Sequence, residues 1–280
     1  SSTTSAKAML YDSKAGAVRV CAQPYDPRHN HDGMQDADYV MGETFRMGRQ
    51  AADGEAVDYI TVGGVWHSVV CCDKAGRAVT PVYSWSYTGA AAYTRQLRRD
   101  RAYTLDYYRR SGCVPHVTYT PFKLRYLQQA EGLDLKGKQC WEQSAYNYFH
   151  LTGTAATTAS TASGGGLIRL GTADYDPQTL EEIGITRDQL PLLRTYRESA
   201  PLSKAGAELL GLKAGIPVMP PLPDRALNQV AAAALAPGGP LTLSAGPSGP
   251  LPLSTPAPLP PPPPGTRTPP PPPPRPTPAP

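Results

Sequence analysis

At 280 residues, with 40% hydrophobic and 18% charged side chains, the chain is long enough to bury a sizeable core as one large domain or two small ones. Its formal net charge of +4 comes from Lys and Arg scattered without an aromatic-interleaved basic block, which argues against nucleic acid as the partner. No apolar run approaches the ~18 residues that read as a membrane span, and the opening Ser1-Ser2-Thr3-Thr4 lacks the basic and apolar regions of a signal peptide, so the expected location is cytoplasmic.

Lys7 to Tyr11 and Ala17 to Gln23 are short apolar-rich runs on either side of the turn-rich Asp12-Ser13-Lys14-Ala15-Gly16, the pattern of a β-hairpin. A polar loop from Tyr25 to Gly33 follows. Its His29, His31 and Asp32 have the short spacing of a metal clip but no second ligand pair, and a solvated loop is the better account. Asp36 can cap a helix whose Val40, Met41, Thr44, Phe45 and Gly48 share a face. Asp58 to Gly63, Val65 to Cys71 and Val79 to Trp85 are expected to be extended, broken by Gly63-Gly64 and by a turn at Asp73 to Gly76. The five cysteines are odd in number and show no C-x-x-C spacing, which suits reduced thiols rather than a disulfide framework.

From Gly89 to Tyr148 the spacing predicts mainly helices covering one face of a sheet. Thr152 to Gly166, rich in Thr, Ala, Ser and Gly without periodicity, is expected to be a loop, with a strand resuming over Leu167 to Leu170. Short helices are expected at Pro177 to Glu182 and Ser203 to Leu210, a strand end at Pro217 to Met219, an Ala-rich helix over Arg225 to Leu235 and a strand at Leu241 to Ser244. Beyond Gly246 the composition changes abruptly, because 19 of the 33 prolines fall in residues 247–280. Proline supplies no backbone donor, so this tail is expected to be polyproline II or disordered.

There is no Walker loop, no G-x-S-x-G elbow and no H-E-x-x-H, so spacing alone names no reaction. An ordered series of segments nevertheless forms a pattern. Thr3-Thr4-Ser5-Ala6-Lys7 opens the chain, Trp66-His67-Ser68 follows a glycine pair, and Thr80 to Trp85 leads into Ser86-Tyr87-Thr88-Gly89. Pro121 to Leu127, Tyr146 to Gly153, Ala159 to Leu170 and Asp174 to Pro191 come next, then Pro217 to Val230 and Leu241 to Gly249. Together, over about Ser2 to Thr255, these resemble the FGGY carbohydrate kinases, with the likeness strongest to gluconate-type and xylulose-type members.

The resemblance implies an α/β fold: the first domain of an actin-like, ribonuclease-H-like ATPase, a mixed sheet begun by a hairpin and flanked by helices. It implies phosphorylation of a sugar or sugar acid by ATP with Mg²⁺. Asp224 falls where the family has its catalytic Asp, which accepts the sugar hydroxyl proton; the competing reading is a helix cap. Trp66 and His67 fall on the sugar-contacting segment, an indole wall beside an imidazole that can donate or accept. Thr3, Thr4, Ser5 and Lys7 match the first phosphate turn, and Gly246, Ser248 and Gly249 the second, where Pro247 deletes an amide donor. Tyr87 and Gly89 occupy the Asp and Arg places of the family's W-x-D-x-R, and Arg225 the place of a glycine. These departures, with the family's opening Asp falling before residue 1, lead to the expectation of an incomplete copy with little or no activity. In that reading residues 1–246 form the sugar-binding domain and residues 247–280 stand in place of the ATP-binding domain. A homodimer is compatible with the family. The alternatives are a proline-rich adaptor binding SH3- or WW-type domains and a non-catalytic sugar-binding protein on the same fold.

Overall fold

The computed structural model describes residues 2–224 and Leu227. It opens on an antiparallel hairpin of β1 (Ser5–Asp12) and β2 (Gly16–Pro24), with a bulge between Leu10 and Tyr11. Asp12 builds the turn as the sequence predicts, its Oδ1 accepting from the Lys14 and Ala15 amides at 2.8 and 2.7 Å. Strand alternation leaves Lys7, Met9 and Tyr11 exposed and turns Ala6 inward. After the short strands β3 (Asn30–His31) and β4 (Met34–Gln35), helix α1 (Ala37–Ala52) packs on the hairpin, and Ala6, Tyr25, Val40 and Met47 fill the space between them. The Asp36 carboxylate caps α1, accepting from the Tyr39 amide at 3.0 Å.

The chain continues through β5 (Ile60–Gly64), β6 (Val70–Cys72), β7 (Val82–Tyr83), α2 (Ala91–Leu97), α3 (Arg101–Ser111) and α4 (Thr120–Glu131). It then forms β8 (Gln139–Trp141), α5 (Gln143–Thr152), β9 (Ala156–Thr157), α6 (Ala159–Gly164), β10 (Ile168–Arg169) and β11 (Asp174–Tyr175). Last come α7 (Pro177–Ile183), β12 (Leu192–Leu193), β13 (Ala200–Pro201), α8 (Lys204–Leu210) and β14 (Pro217–Pro223).

The central arrangement is a mixed sheet in the order β13-β14-β5, in which β14 runs parallel to β5 and antiparallel to β13. Its register is Val218 opposite Ile60 and Pro223 opposite Gly64, and it slips between Met219 and Leu222. Pro220 and Pro221 lie in that interval and have no N–H to give a ladder, which accounts for the slip. Helices α1, α5 and α8 cover this sheet, with Phe45, Tyr148, Leu151 and Leu210 packed in one core with Val218 of β14. A second core, containing Leu124, Leu127, Leu167, Ile183 and Leu190, joins α4, α6 and α7.

Two expectations from the sequence are corrected and a third is refined. Val65 to Ser68 is a bend rather than part of a strand, because His67 adopts a left-handed φ of 63°, and extended pairing resumes at Val69, which bridges Tyr83. The stretch expected as a loop, Thr152 to Gly166, holds β9 and α6. Helix α6, Ala-Ser-Thr-Ala-Ser-Gly, is buried from Ser160 to Gly164, so it has no exposed face set against a buried one and leaves no helical periodicity to find. The region expected to be mainly helical contains β8, paired antiparallel with β6 so that Cys71 faces Cys140. The Ala-rich helix beyond Asp224, the strand at Leu241 to Ser244 and the proline-rich tail lie outside the described residues.

Candidate active site

Parallel strands bring their carboxyl ends to one edge of a sheet, the usual place for ligands in open α/β folds. Here β5 and β14 end side by side, with Pro223 opposite Gly64. Asp224 follows Pro223 directly, and Trp66 and His67 follow Gly64 by two and three residues. The fold therefore gathers three of the predicted residues at one end of one strand pair, although 157 positions separate His67 from Asp224 in sequence. Asp224 is exposed there, Trp66 is 7% exposed and His67 is half-buried.

The turn carrying Trp66 and His67 is anchored from several helices. Trp66 Nε1 donates to the Ser160 carbonyl of α6 at 3.1 Å. His67 Nδ1 donates to the Gly164 carbonyl at the end of the same helix, which in the neutral ring puts the lone pair on Nε2. The Ser68 hydroxyl accepts from the Gln143 amide at the start of α5 at 3.1 Å. The backbone is glycine where α5 arrives for a steric reason: a Cβ on Gly64 would lie 2.5 Å from the Ser144 Cβ. The hydroxyls of Ser144 and Ser160 are buried without a hydrogen-bond partner among the described residues, which makes the surroundings of this turn polar as well as apolar. Helix α6 is in turn tied to β14, since Thr158 and Thr161 each donate to the Pro221 carbonyl at 3.0 Å, three residues before Asp224.

Of the residues expected to form a first phosphate turn, Thr3 bonds to Trp85, and its neighbours are placed differently. Thr3 Oγ1 accepts from Trp85 Nε1 at 2.8 Å, and the Thr3 carbonyl accepts from Asn30 Nδ2 at 2.9 Å and Gln35 Nε2 at 3.1 Å. The Thr4 carbonyl is taken by the Tyr25 amide. With its oxygen accepting from Trp85, the Thr3 hydroxyl keeps its hydrogen to donate. Ser5 is occupied locally, its hydroxyl 3.0 Å from that of Ser2. Lys7 sits on the exposed outer face of the hairpin with Met9 and Tyr11. Gly246, Ser248 and Gly249 lie outside the described residues. Among the described residues no group of three or more His, Cys, Asp and Glu is placed to hold a metal ion. Mg²⁺ commonly enters such sites on phosphate oxygens with only one or two carboxylates, so a nucleotide would bring most of its ligands.

One residue that the sequence reading left in the scaffold belongs to the site's architecture. Lys123, on α4, is fully buried, and its ammonium donates to the carbonyls of His67 at 2.5 Å, Ser84 at 2.7 Å and Tyr83 at 3.1 Å. A lysine set between Phe122 and Leu124 on an apolar helix face is the signal that the sequence offers for it.

Comparison with known proteins bears on the family and the fold. The family model for the N-terminal domain of the FGGY family of carbohydrate kinases matches residues 2–231. The xylulose kinase of Streptomyces coelicolor is 28% identical over 252 residues, covering 78% of this chain and 50% of that relative. The gluconokinase of Bacillus subtilis is 23% identical over 200 residues, covering 68% and 38%. Among solved structures, the gluconate kinase of Lactobacillus acidophilus superposes with a TM-score of 0.76 at 20% identity, over 82% of this chain and 48% of that one. The xylulose kinase of the same organism gives 0.75 at 20% identity, over 82% and 49%. The chain spans about half the length of the curated xylulose kinases it matches. With its actin-like N-terminal fold and a family match over most of its length, the chain belongs to the FGGY family of carbohydrate kinases.

Proposed function

We propose that this chain supplies the sugar-binding half of an ATP-dependent kinase acting on a hydroxyl of a sugar or sugar acid, gluconate first and D-xylulose second. The observation that carries the reading is the strand register: Pro223 opposite Gly64 sets the Asp224 carboxylate at the same sheet end as the Trp66-His67 turn. In this reading Trp66 and His67 orient the sugar, His67 through Nε2 with its other nitrogen fixed on Gly164. Asp224 accepts the proton of the attacking hydroxyl, and the Thr3 hydroxyl donates to a phosphate oxygen. ATP supplies the phosphoryl group and Mg²⁺ offsets the charge on its phosphates. Gluconokinase and xylulose kinases stand among the relatives, which supports both sugars as candidates.

The test is calorimetric titration of the 280-residue chain with gluconate, D-xylulose and glycerol, alongside ADP release with and without Mg²⁺. Saturable binding of gluconate or xylulose, weakened in His67→Ala, is expected. Absence of binding by every member of the panel would sink the reading. Binding without sugar-stimulated ADP release by any form of the protein would leave a sugar-binding protein in place of a kinase.

A further inference from the structure

We propose that Lys123 is a positioning residue for the candidate site: its buried ammonium holds the carbonyls of His67, Tyr83 and Ser84, and so fixes both the left-handed turn at His67 and the segment that presents Trp85 to Thr3. The consequence for sugar binding rests on the function proposed above; the conformational part does not.

An ammonium has three donors and no acceptor, and here three carbonyls from two separate segments meet it. Among the described residues these carbonyls are its hydrogen-bond partners, so the interaction is between an ion and dipoles. Burial pushes the Lys123 pKa well below the ordinary lysine range, a measure of how poorly the location suits a charge for stability alone. The neighbouring positions on α4, Phe122, Leu124 and Leu127, are fully buried and apolar, and an apolar side chain at 123 would meet the same packing requirement without desolvating a charge. The Tyr83 carbonyl does not depend on the lysine, since it already accepts from the Val69 amide at 3.1 Å. What the ammonium adds is convergence. It pulls the carbonyl of a non-glycine residue with φ of 63° toward the same point as two carbonyls immediately before Trp85. Left-handed backbone at such a residue is unfavourable unless its surroundings impose it. Trp85 then donates to Thr3 at 2.8 Å. A path of direct contacts thus runs from His67 through Lys123 and Ser84–Trp85 to Thr3, joining the sugar-facing and phosphate-facing parts of the site.

The experiment uses the isotope-labelled 280-residue chain. Backbone and side-chain carbon shifts and the amide-to-α-proton coupling of His67 report its φ directly, with no ligand needed, and calorimetry reports gluconate and xylulose affinity. Lys123→Met is expected to keep the overall amide spectrum, to move the His67 signature out of the left-handed range and to weaken sugar binding by roughly tenfold or more. Leu127→Ala, equally buried on the same helix, should lower stability and leave the His67 signature in place. Lys123→Ala with added propylammonium should recover the signature, whereas propanol should not. A His67 signature unchanged in Lys123→Met, or shifted as much by Leu127→Ala, overturns the proposal. If Lys123→Met does not fold, Lys123→Ala refolded with propylammonium decides: recovery supports the assignment and failure to recover overturns it. If the parent binds no sugar, the functional reading fails, and the His67 signature still decides the role of Lys123.

Discussion

Trp66 lies so close to Gly164 that a Cβ added to the glycine would fall 2.3 Å from both Cδ1 and Nε1 of the indole. The indole has little room to move: it is 7% exposed and its Nε1 is held by the Ser160 carbonyl. Gly164→Ala therefore has to displace either Trp66 or the end of α6. Overpacking of this kind costs about 1–3 kcal/mol, which chemical denaturation would read. The tryptophan emission and the sugar affinity should change with it. A variant within ~0.5 kcal/mol of the parent and with unchanged emission would show that the close approach is relieved without consequence.

Periodicity and capping made much of this fold legible. The hairpin around Asp12, the Asp36-capped α1, and the helices α7 and α8 follow from turn residues, caps and apolar spacing. What stayed hidden is short or buried on all sides. Helix α6 is buried from Ser160 to Gly164 and has no exposed face to set a pattern, and the two-residue strands β9 and β12 pair with each other across 34 intervening positions, which local pattern cannot anticipate. The same division holds for the site. Asp224, Trp66 and His67 are candidates from motif alone, and their convergence depends on the β5–β14 register. The role of Lys123 depends on where three carbonyls point, which no spacing encodes.

The Asp174 to Pro191 connection has one energetically demanding point. Asp176 is fully buried, and it accepts from the guanidinium of Arg110, from the Thr179 hydroxyl at 2.6 Å and from Arg169 at 3.0 Å. Burial alone would raise its pKa, yet the Thr179 and Arg110 contacts outweigh burial and hold it below 3.8. A lowered folded pKa means the pair contributes stability at pH above 3.8 and loses it as pH falls through the folded value. Asp176→Asn should cost about 1–3 kcal/mol at neutral pH, because it weakens the buried charge-assisted contacts to Arg110 while Arg110 keeps Asp106 and Glu182 as partners at 2.9 and 2.8 Å. It should also flatten the acid limb of the stability profile. Denaturation curves at pH 7 and pH 3 check both; equal loss at the two pH values would remove the charge from the explanation.

Glu142 behaves in the opposite sense. It is 4% exposed, and burial raises its pKa to about 7, opposed only in part by its own backbone amide. The folded state therefore holds a proton that the unfolded chain, with a pKa of 4.5, releases earlier. Stability contributed by the neutral acid is complete below 4.5 and declines as pH rises through about 7. Glu142→Gln removes this slope. Relative to the parent, it should gain a few kcal/mol between pH 5 and pH 8, because a tenfold change in proton affinity between folded and unfolded chain is worth about 1.4 kcal/mol. Melting curves across that range test it, and a parent-to-variant difference independent of pH would show that Glu142 does not titrate as described.

Asp224 stands at the end of β14 and ahead of an alanine-rich segment, so its carboxylate has two competing assignments: general base or helix cap. Asp224→Asn separates them. Asparagine is as good an N-cap as aspartate, so a pure capping role predicts little change in stability and none in turnover. A base, by contrast, must take a proton in the transition state, and the amide cannot. In an assay of sugar-stimulated ATP consumption by a form of the protein that also carries an ATP-binding half, Asp224→Asn is expected to lower kcat by roughly 10²-fold or more. The sugar Kd should move by no more than a few-fold, since an interaction made mainly in the transition state contributes little to ground-state binding. Asp224→Ala, which removes cap and base together, should lose activity to the same degree and in addition about 1 kcal/mol of stability. Turnover in Asp224→Asn within a few-fold of the parent would exclude Asp224 as the base and leave the cap as its role.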